Sequence, residues 1–235
     1  MRRLLTILLA LSVCFSAAGC GAVAVKPEIP AATEVPATPE PTPVPTAEEL
    51  YFPIVAKYCA ALYNRYDMEQ LQTEDLNYML AYSYGDDPLS SAGFLLADID
   101  ADGNAEMLVG SLAGDAYNRQ IILDMYTLSD GKPVKVFTAG ERDRFYFCSE
   151  GFFAEEASNS AMNSAWRYYT YAGGTMTEVK AIVFNAAEDR ENPWHLIEGG
   201  TESPIAEADA TNMISGYQAL YVTPEYVPFS QYSEG

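Results

Sequence analysis

The sequence contains a single histidine, His195, among its 235 residues. Metal sites that need two histidines, such as H-E-x-x-H, are therefore excluded. A Ser-His-Asp triad would have to use His195, but the G-x-S-x-G elbow is missing, since residues 110–114 read GSLAG. Phosphate-binding, dinucleotide-binding and C-x-x-C motifs are also missing from the sequence. His195 follows Trp194 in a predicted loop, where we expect it to be a loop or packing residue.

Basic residues are scarce, with 13 Lys and Arg against 33 Asp and Glu and a net charge of −20. A surface this acidic repels phosphate backbones and anionic lipid, so we expect no nucleic-acid partner. The same surface attracts cations. The charge therefore excludes one broad class of function and is compatible with a solvated exterior protein.

Long apolar runs are missing except at residues 4–18, which follow Arg2 and Arg3 and precede Cys20. This run has signal-peptide length and is too short for a typical membrane-spanning helix. Small residues directly before Cys20 resemble a bacterial lipobox, with Ala17 where leucine is usual. The resemblance implies a signal peptide over residues 1–19, a lipidated Cys20, and a membrane-anchored protein on the extracellular face. The alternative is ordinary secretion, with cleavage after Ala24.

Cysteine is also sparse, with four residues in the chain. Cys14 lies within the predicted signal peptide, and Cys20 is the predicted lipid site. Cys59 and Cys148 remain, and two cysteines do not make a disulfide framework. We favour buried thiols over a disulfide, because each lies in an apolar pattern.

Proline is concentrated in residues 26–46, which contain seven of the 14 prolines in the chain. Proline at nearly alternate positions disfavours helices and strands, so residues 20–48 are predicted to be a disordered linker behind the lipid site. Residues 49–235 are then a single extracellular domain, long enough to bury a core.

Helical patterns frame the predicted domain. Thr46 and Glu49 have the spacing of a capping box, and Pro53 is expected in the first turn or at a kink. A second helix is expected to open at Thr73 and to end at the Gly-Asp-Asp-Pro of residues 85–88. Residues 207–220 predict a C-terminal helix.

Between these helices the hydrophobic period is two, which is typical of strands. The predicted strands are residues 93–98, 106–111, 119–128, 133–139, 144–149, 152–156, 165–172 and 176–184. Hairpin turns are expected at residues 129–132 and 172–175. The predicted fold class is α+β, with N-terminal helices packed on an antiparallel β-meander and a C-terminal helix.

An acidic loop lies between the first two predicted strands. Residues 98–106 read DIDADGNAE, with carboxylates at positions 1, 3, 5 and 9 and Gly103 at position 6. Glycine permits a tight curl that brings the carboxylates together, and their mutual repulsion favours a hard cation. Oxygen ligands favour one calcium ion over zinc or copper. A helix-loop-helix calcium site is disfavoured because position 12 is Val109, and the simpler alternative is a solvated acidic turn.

The loop resembles the calcium loops of FG-GAP repeats, D-x-(D/N)-x-D-G-x-x-(D/E). This resemblance implies side-chain ligation by Asp98, Asp100, Asp102 and Glu106 and a backbone carbonyl ligand from Asn104. A single copy does not build a propeller. The chain is also similar to uncharacterised Gram-positive surface lipoproteins that contain a DIDGDGxxEL segment, which implies no specific activity.

Aromatic residues are abundant, with 17 tyrosines in the chain. In the run over residues 166–171, alternation would place Trp166 and Tyr168 on one face and Tyr169 and Tyr171 on the other. We expect these four side chains mainly to pack the sheet. The alternative is a platform for an extracellular ligand.

These patterns favour a non-catalytic surface lipoprotein with a calcium-stabilised domain that binds or adheres to an unidentified glycan or protein. One alternative is an extracellular enzyme that acts on glycans or cell-wall polymers through paired carboxylates. Another is a structural subunit of an envelope assembly. No residue is singled out as catalytic.

Overall fold

The computed structural model describes residues 45–232 of the chain. The predicted signal peptide, Cys20 and most of the predicted linker lie outside the described residues. The helices are α1 (Ala47–Tyr63), α2 (Met68–Thr73), α3 (Pro88–Ser91), α4 (Ala116–Gln120) and α5 (Glu207–Gln218), with 3₁₀ turns at Tyr78–Ser83 and Phe229–Gln231.

Strands dominate the described part of the chain. They are β1 (Ala92–Ala97), β2 (Glu106–Ser111), β3 (Ile121–Ser129), β4 (Lys132–Thr138), β5 (Asp143–Phe147), β6 (Phe153–Ser160), β7 (Asn163–Ala172), β8 (Thr175–Asn185), β9 (Trp194–Glu198), β10 (Thr201–Pro204) and β11 (Val227–Pro228). They form one 11-stranded sheet in the order β10-β9-β8-β7-β6-β5-β3-β2-β1-β11, with β4 also paired to β3. The fold is therefore a mostly β form of the predicted α+β class.

The capping box at the start of α1 is confirmed. The Glu49 N–H donates to Thr46 Oγ1 at 3.2 Å, and the Thr46 N–H donates to Glu49 Oε2 at 2.7 Å. The helix starts at Ala47, two residues before the predicted domain boundary. Pro53 lies in its second turn, so the first-turn alternative is wrong and a kink at Pro53 stays a prediction.

The second predicted helix is wrong in position. Asp67 and Gln70 form a capping box that starts α2, and this helix ends at Thr73 instead of opening there. Asp75 then has a positive φ of 57°, which breaks the helical path, and a 3₁₀ turn capped by Asn77 buries Leu80. The apolar spacing correctly predicted that this segment is buried, but it did not predict that the segment has 3₁₀ hydrogen bonds in place of α-helical ones.

The hairpin turns are confirmed. Asp130 and Gly131 have positive φ values of 51° and 69° between β3 and β4. Gly173 and Gly174 have positive φ values of 54° and 78° between β7 and β8. The predicted loop at Trp194 and His195 is wrong, because both residues belong to β9 and pair with β8.

Core residues lie on both faces of the sheet. The larger cluster joins α1 and α5 to one face, through residues such as Tyr58, Tyr168 and Ile214. The second cluster lies on the other face and includes Leu108 and Tyr171, from β2 and β7. Three other strands separate β2 from β7 in the sheet order, yet the Tyr171 hydroxyl donates to Glu106 of β2 at 3.0 Å, so the sheet curls.

The cysteine prediction is tested most clearly at Cys148. This side chain is fully buried and carries a free thiol, which confirms the preference for a thiol at this position. Burial raises the pKa of the Cys148 thiol to about 12, so very little of this group is thiolate at neutral pH.

A buried carboxylate connects α1 to β3. Asp124 is 0% exposed, and its Oδ2 accepts a hydrogen bond from the Tyr58 hydroxyl. Its Oδ1 has no hydrogen-bond partner among the described residues. Burial raises the pKa of Asp124 above its usual value near 3.8, although Lys135 and neighbouring donors oppose the shift.

The Asp124→Asn variant is expected to gain stability relative to the natural protein as the pH rises. A carboxyl group whose pKa is raised by folding stabilises the fold below its unfolded pKa, and this contribution is lost as the pH rises through the folded pKa. Each unit of pKa shift corresponds to about 1.4 kcal/mol. Urea unfolding of both proteins from pH 4 to pH 8 measures the difference. A difference in unfolding free energy that is constant with pH would contradict this prediction.

Candidate metal centre

The acidic loop joins β1 to β2 and is closed by a strand pair at its base, where Ala97 lies opposite Glu106. Ala101 and Gly103 have positive φ values of 60° and 93°. Two left-handed residues close together curl the backbone, and Gly103 adopts this conformation without a side-chain clash. The expected curl around glycine is therefore present.

Three of the predicted ligands converge inside this curl. Asp98, Asp100 and Glu106 each offer a carboxylate oxygen, and these oxygens all lie within 4.8 Å of one another. Asp98 is exposed, Asp100 is half-buried and Glu106 is only 1% exposed. We call this cluster the carboxylate triad. Its floor is buried, and one side of it is open to solvent.

Asp102, a further predicted ligand, does not join the carboxylate triad, and ligation by the Asn104 backbone carbonyl stays a prediction. The Asp102 carboxylate accepts hydrogen bonds from the Asn104 N–H at 2.7 Å and from the Asn104 side-chain amide at 3.1 Å. Backbone donors also fix the triad, because the Asp102 and Gly103 N–H groups donate to the two Asp98 oxygens, each at 3.1 Å. The loop backbone therefore orients Asp98, and Asp102 closes a local turn.

Glu106 is the buried member of the triad. It accepts hydrogen bonds from the Ile99 N–H at 3.0 Å, the Thr127 hydroxyl at 3.2 Å and the Tyr171 hydroxyl at 3.0 Å. Burial raises the pKa of Glu106, and the hydrogen bond from Ile99 partly opposes this shift. None of the ion pairs among the described residues includes a member of the triad. A bound cation would supply the missing opposite charge.

The triad also connects two distant hairpins. Asp100 Oδ2 accepts a hydrogen bond from the Gly173 N–H at 2.6 Å, and Gly173 lies in the turn between β7 and β8. Next to it, a side chain at Gly174 would lie 3.2 Å from Thr127 Cγ2 on β3, so this turn packs closely on the sheet. The centre thus lies where the curled sheet brings its two halves together.

Helix α1 supports the loop from the other side. The buried Tyr51 hydroxyl donates to the Ala105 carbonyl at 3.0 Å and to the Tyr126 carbonyl at 3.2 Å. Tyr51, Tyr171, Thr127 and Gly173 are the residues of this centre that sequence reasoning missed. The Gly-Gly turn was recognisable in the sequence, but its contact with the acidic loop was not.

The aromatic run on β7 mainly packs the sheet. Tyr168 is 2% exposed and stacks on Tyr217 of α5, with ring centroids 3.8 Å apart. Tyr171 is 7% exposed, and its hydroxyl donates a hydrogen bond to Glu106. Both side chains are buried, so neither presents an open ring face to a ligand in this structure. Tyr169 is half-buried and donates to Glu155 at 2.6 Å. Trp166 is also half-buried and stacks on Trp194, with ring centroids 5.9 Å apart.

The chain matches no family model, no curated protein and no solved structure. Within residues 45–232, no helix is both long and apolar enough to cross a membrane. The carboxylate triad could hold a metal ion. Its chemistry is that of a site for a hard cation, because all three side chains offer oxygen.

Proposed function

We propose that the protein is a non-catalytic, lipid-anchored surface protein whose extracellular domain is stabilised by one calcium ion and binds a ligand outside the cell. The observation that carries the proposal is the carboxylate triad, which connects the acidic loop to the β7–β8 turn through Asp100 and Gly173. The anchor is inferred from Cys20 and the apolar run before it. Neither feature requires catalysis.

Calcium is the favoured ion because the site combines several carboxylates with a loop of adaptable backbone. Calcium accepts six to eight oxygen ligands in flexible geometry, whereas magnesium requires a near-ideal octahedron. The triad supplies three side chains, and water reaches its open side. The fuller ligand set expected from FG-GAP loops would also need Asp102 to give up its hydrogen bonds with Asn104.

A structural role for the ion follows from the weak affinities of extracellular calcium modules, about 10⁻⁴–10⁻³ M. With a Kd of about 0.1 mM and about 2 mM calcium, binding would stabilise the folded state by about 1.8 kcal/mol. Such an ion would hold the acidic loop and the β7–β8 turn in place without any moving element.

Calcium at about 2 mM is expected to raise the melting temperature of the protein by about 4–7 °C over its value with a chelator. The Asp98→Asn variant should lose most of this shift, because the change removes one triad charge. Asp102→Asn is the matched control: it removes the same charge from the same loop, outside the triad. Scanning calorimetry of the three proteins, each with and without calcium, provides the measurement.

Two outcomes would contradict the metal proposal. One is a folded natural protein whose melting temperature does not respond to millimolar calcium. The other is an equal loss of response in Asp98→Asn and Asp102→Asn, which would contradict a site formed by the carboxylate triad alone. Magnesium at the same concentration tests whether the site prefers calcium.

Cys20→Ala is expected to move the protein out of the lipid-anchored membrane fraction, because the lipid is attached through the Cys20 thiol. Intact-mass analysis of the natural protein from membranes should show a chain that begins at Cys20 and carries a diacylglycerol. A mature chain that begins at Val25 and is released to the medium would contradict the anchor. Cys14→Ala is the matched control, since Cys14 lies within the predicted signal peptide.

A further inference from the structure

A groove of about 260 Å³ lies on the sheet, away from the carboxylate triad. The groove is lined by residues that include Glu141, Arg142, Arg144, Glu156, Ser158 and Trp166. Its walls therefore combine an aromatic ring, two guanidinium groups and several oxygen atoms. This mixture differs from the apolar clusters that fill the core.

The strand register explains how these side chains meet. Arg144 lies opposite Glu156 on the neighbouring strand, and Glu156 lies opposite Trp166 on the next. Residues directly opposite in an antiparallel sheet point to the same face. The next pair on the same face is Ser158 and Ser164. Ser158 lies two residues after Glu156 on β6, and Ser164 lies two residues before Trp166 on β7. The groove is thus built on the rigid strands β5, β6 and β7.

Helix α5 covers only part of this face. Tyr217 stacks on Tyr168, and the Gln218 side-chain amide at the end of the helix donates to Glu156 Oε1 at 2.7 Å. Trp166, which lines the groove, lies two residues before Tyr168 on β7. One face of the Trp166 ring packs on Trp194, which fixes the indole, and the side chain remains half-buried in the groove wall. A fixed, flat apolar surface suits the C–H face of a sugar ring.

The two arginines have unused donors. Arg142 donates one N–H to the Asn159 carbonyl at 3.2 Å, and Arg144 donates one to the Tyr117 hydroxyl at 3.1 Å. Neither guanidinium forms an ion pair with any carboxylate among residues 45–232. Each guanidinium carries five donors that match a carboxylate in geometry. Glu141 and Glu156 also line the groove, but neither forms an ion pair with Arg142 or Arg144, so the remaining guanidinium donors favour a ligand with an anionic group.

The two glutamates of the groove are already engaged. Glu156 accepts hydrogen bonds from Gln218 and from the hydroxyls of Tyr117 and Tyr221, the latter two at 3.2 Å. Glu141 accepts from the Tyr82 hydroxyl at 2.5 Å. These contacts hold the groove walls in place, and we assign both glutamates this structural role.

We propose that this groove binds a carboxylate-bearing saccharide. Trp166 packs on a sugar ring, Arg142 and Arg144 bind its carboxylate, and Ser158 and Ser164 bind its hydroxyl groups. This inference rests on the proposed role as a binding domain, and it names the ligand class and the site. It does not depend on the metal.

The test uses the mature protein and the emission of its two tryptophans, Trp166 and Trp194, which stack on each other beside the groove. Trigalacturonate is expected to change this emission saturably in the millimolar range. Its methyl ester, which has the same rings without the charge, should bind at least about tenfold more weakly. Arg142→Gln should weaken trigalacturonate binding by about tenfold, whereas Lys132→Gln removes one positive charge outside the groove and should have little effect.

Equal binding of the acid and the ester, or no saturable change with either, would overturn the proposal. A similar loss in Arg142→Gln and Lys132→Gln would also overturn it, because binding would then follow net charge. If the protein does not bind trigalacturonate but calcium still raises its melting temperature, the groove proposal is wrong and the calcium proposal is unaffected. Cleavage of the trisaccharide would support the groove and overturn the non-catalytic role.

Discussion

Glu106→Gln is expected to lower the free energy of unfolding by about 1–3 kcal/mol and to remove the calcium response. The natural carboxylate accepts hydrogen bonds from Ile99, Thr127 and Tyr171. Glutamine has one oxygen, so its amide nitrogen would face either the Ile99 N–H, which it cannot satisfy, or the two hydroxyls, which would have to turn and lose their present bonds. The residue is 1% exposed, so water does not replace the lost partner. The change also removes the buried charge of the proposed metal site.

Urea unfolding in a chelator and in calcium separates these two effects. Thr127→Val is the matched control, because it deletes one of the three donors and leaves the triad charge unchanged. This control should lose about 1 kcal/mol in both buffers and retain the calcium response. A Glu106→Gln protein that keeps the full calcium response would contradict the assignment of Glu106 as a ligand.

Gly93→Ala is expected to destabilise the protein by about 3 kcal/mol. Gly93 lies in β1 opposite Pro228 of β11. A side-chain carbon at this position would clash with the Val227 carbonyl oxygen and lie 2.9 Å from the Val227 carbonyl carbon. Both atoms belong to the backbone, so rotating a side chain does not relieve the clash. Separation of β11 from β1 would also disturb the strand that leads into the acidic loop.

Gly216→Ala provides the opposite control. Gly216 lies within α5, and a side-chain carbon there would meet nothing within 4 Å. Alanine in a helix interior is favoured over glycine by about 1 kcal/mol, so this variant should be more stable than the natural protein. Urea unfolding measures both changes, and a Gly93→Ala protein as stable as Gly216→Ala would show that β11 does not pack on β1 as described.

Local signals in the sequence predicted the local structure well. The capping box at Thr46 and the turns at residues 129–132 and 172–175 are short-range features, and each is present. The second helix failed because apolar spacing at Leu76 and Leu80 reports burial without specifying the hydrogen-bond pattern. Tertiary packing selected a 3₁₀ turn capped by Asn77, whose side chain also donates to the Leu123 carbonyl at 2.7 Å.

The candidate site shows the same division between local and distant information. The spacing of residues 98–106 predicted the convergence of Asp98, Asp100 and Glu106, because a curl at Gly103 depends only on nearby residues. The contribution of Tyr171 and Gly173 depends on the curl of the whole sheet, which alternation along single strands does not encode. Alternation did place Trp166 and Tyr168 in one cluster and Tyr169 and Tyr171 in the other.

The most direct test of the central claim is a crystal structure of the protein grown in millimolar calcium, with anomalous scattering recorded to locate the ion. The account predicts one calcium ion at the carboxylate triad, with oxygens of Asp98, Asp100 and Glu106 at about 2.3–2.6 Å from it. An ordered loop with no anomalous peak among these three carboxylates, or a calcium ion bound only elsewhere, would contradict it.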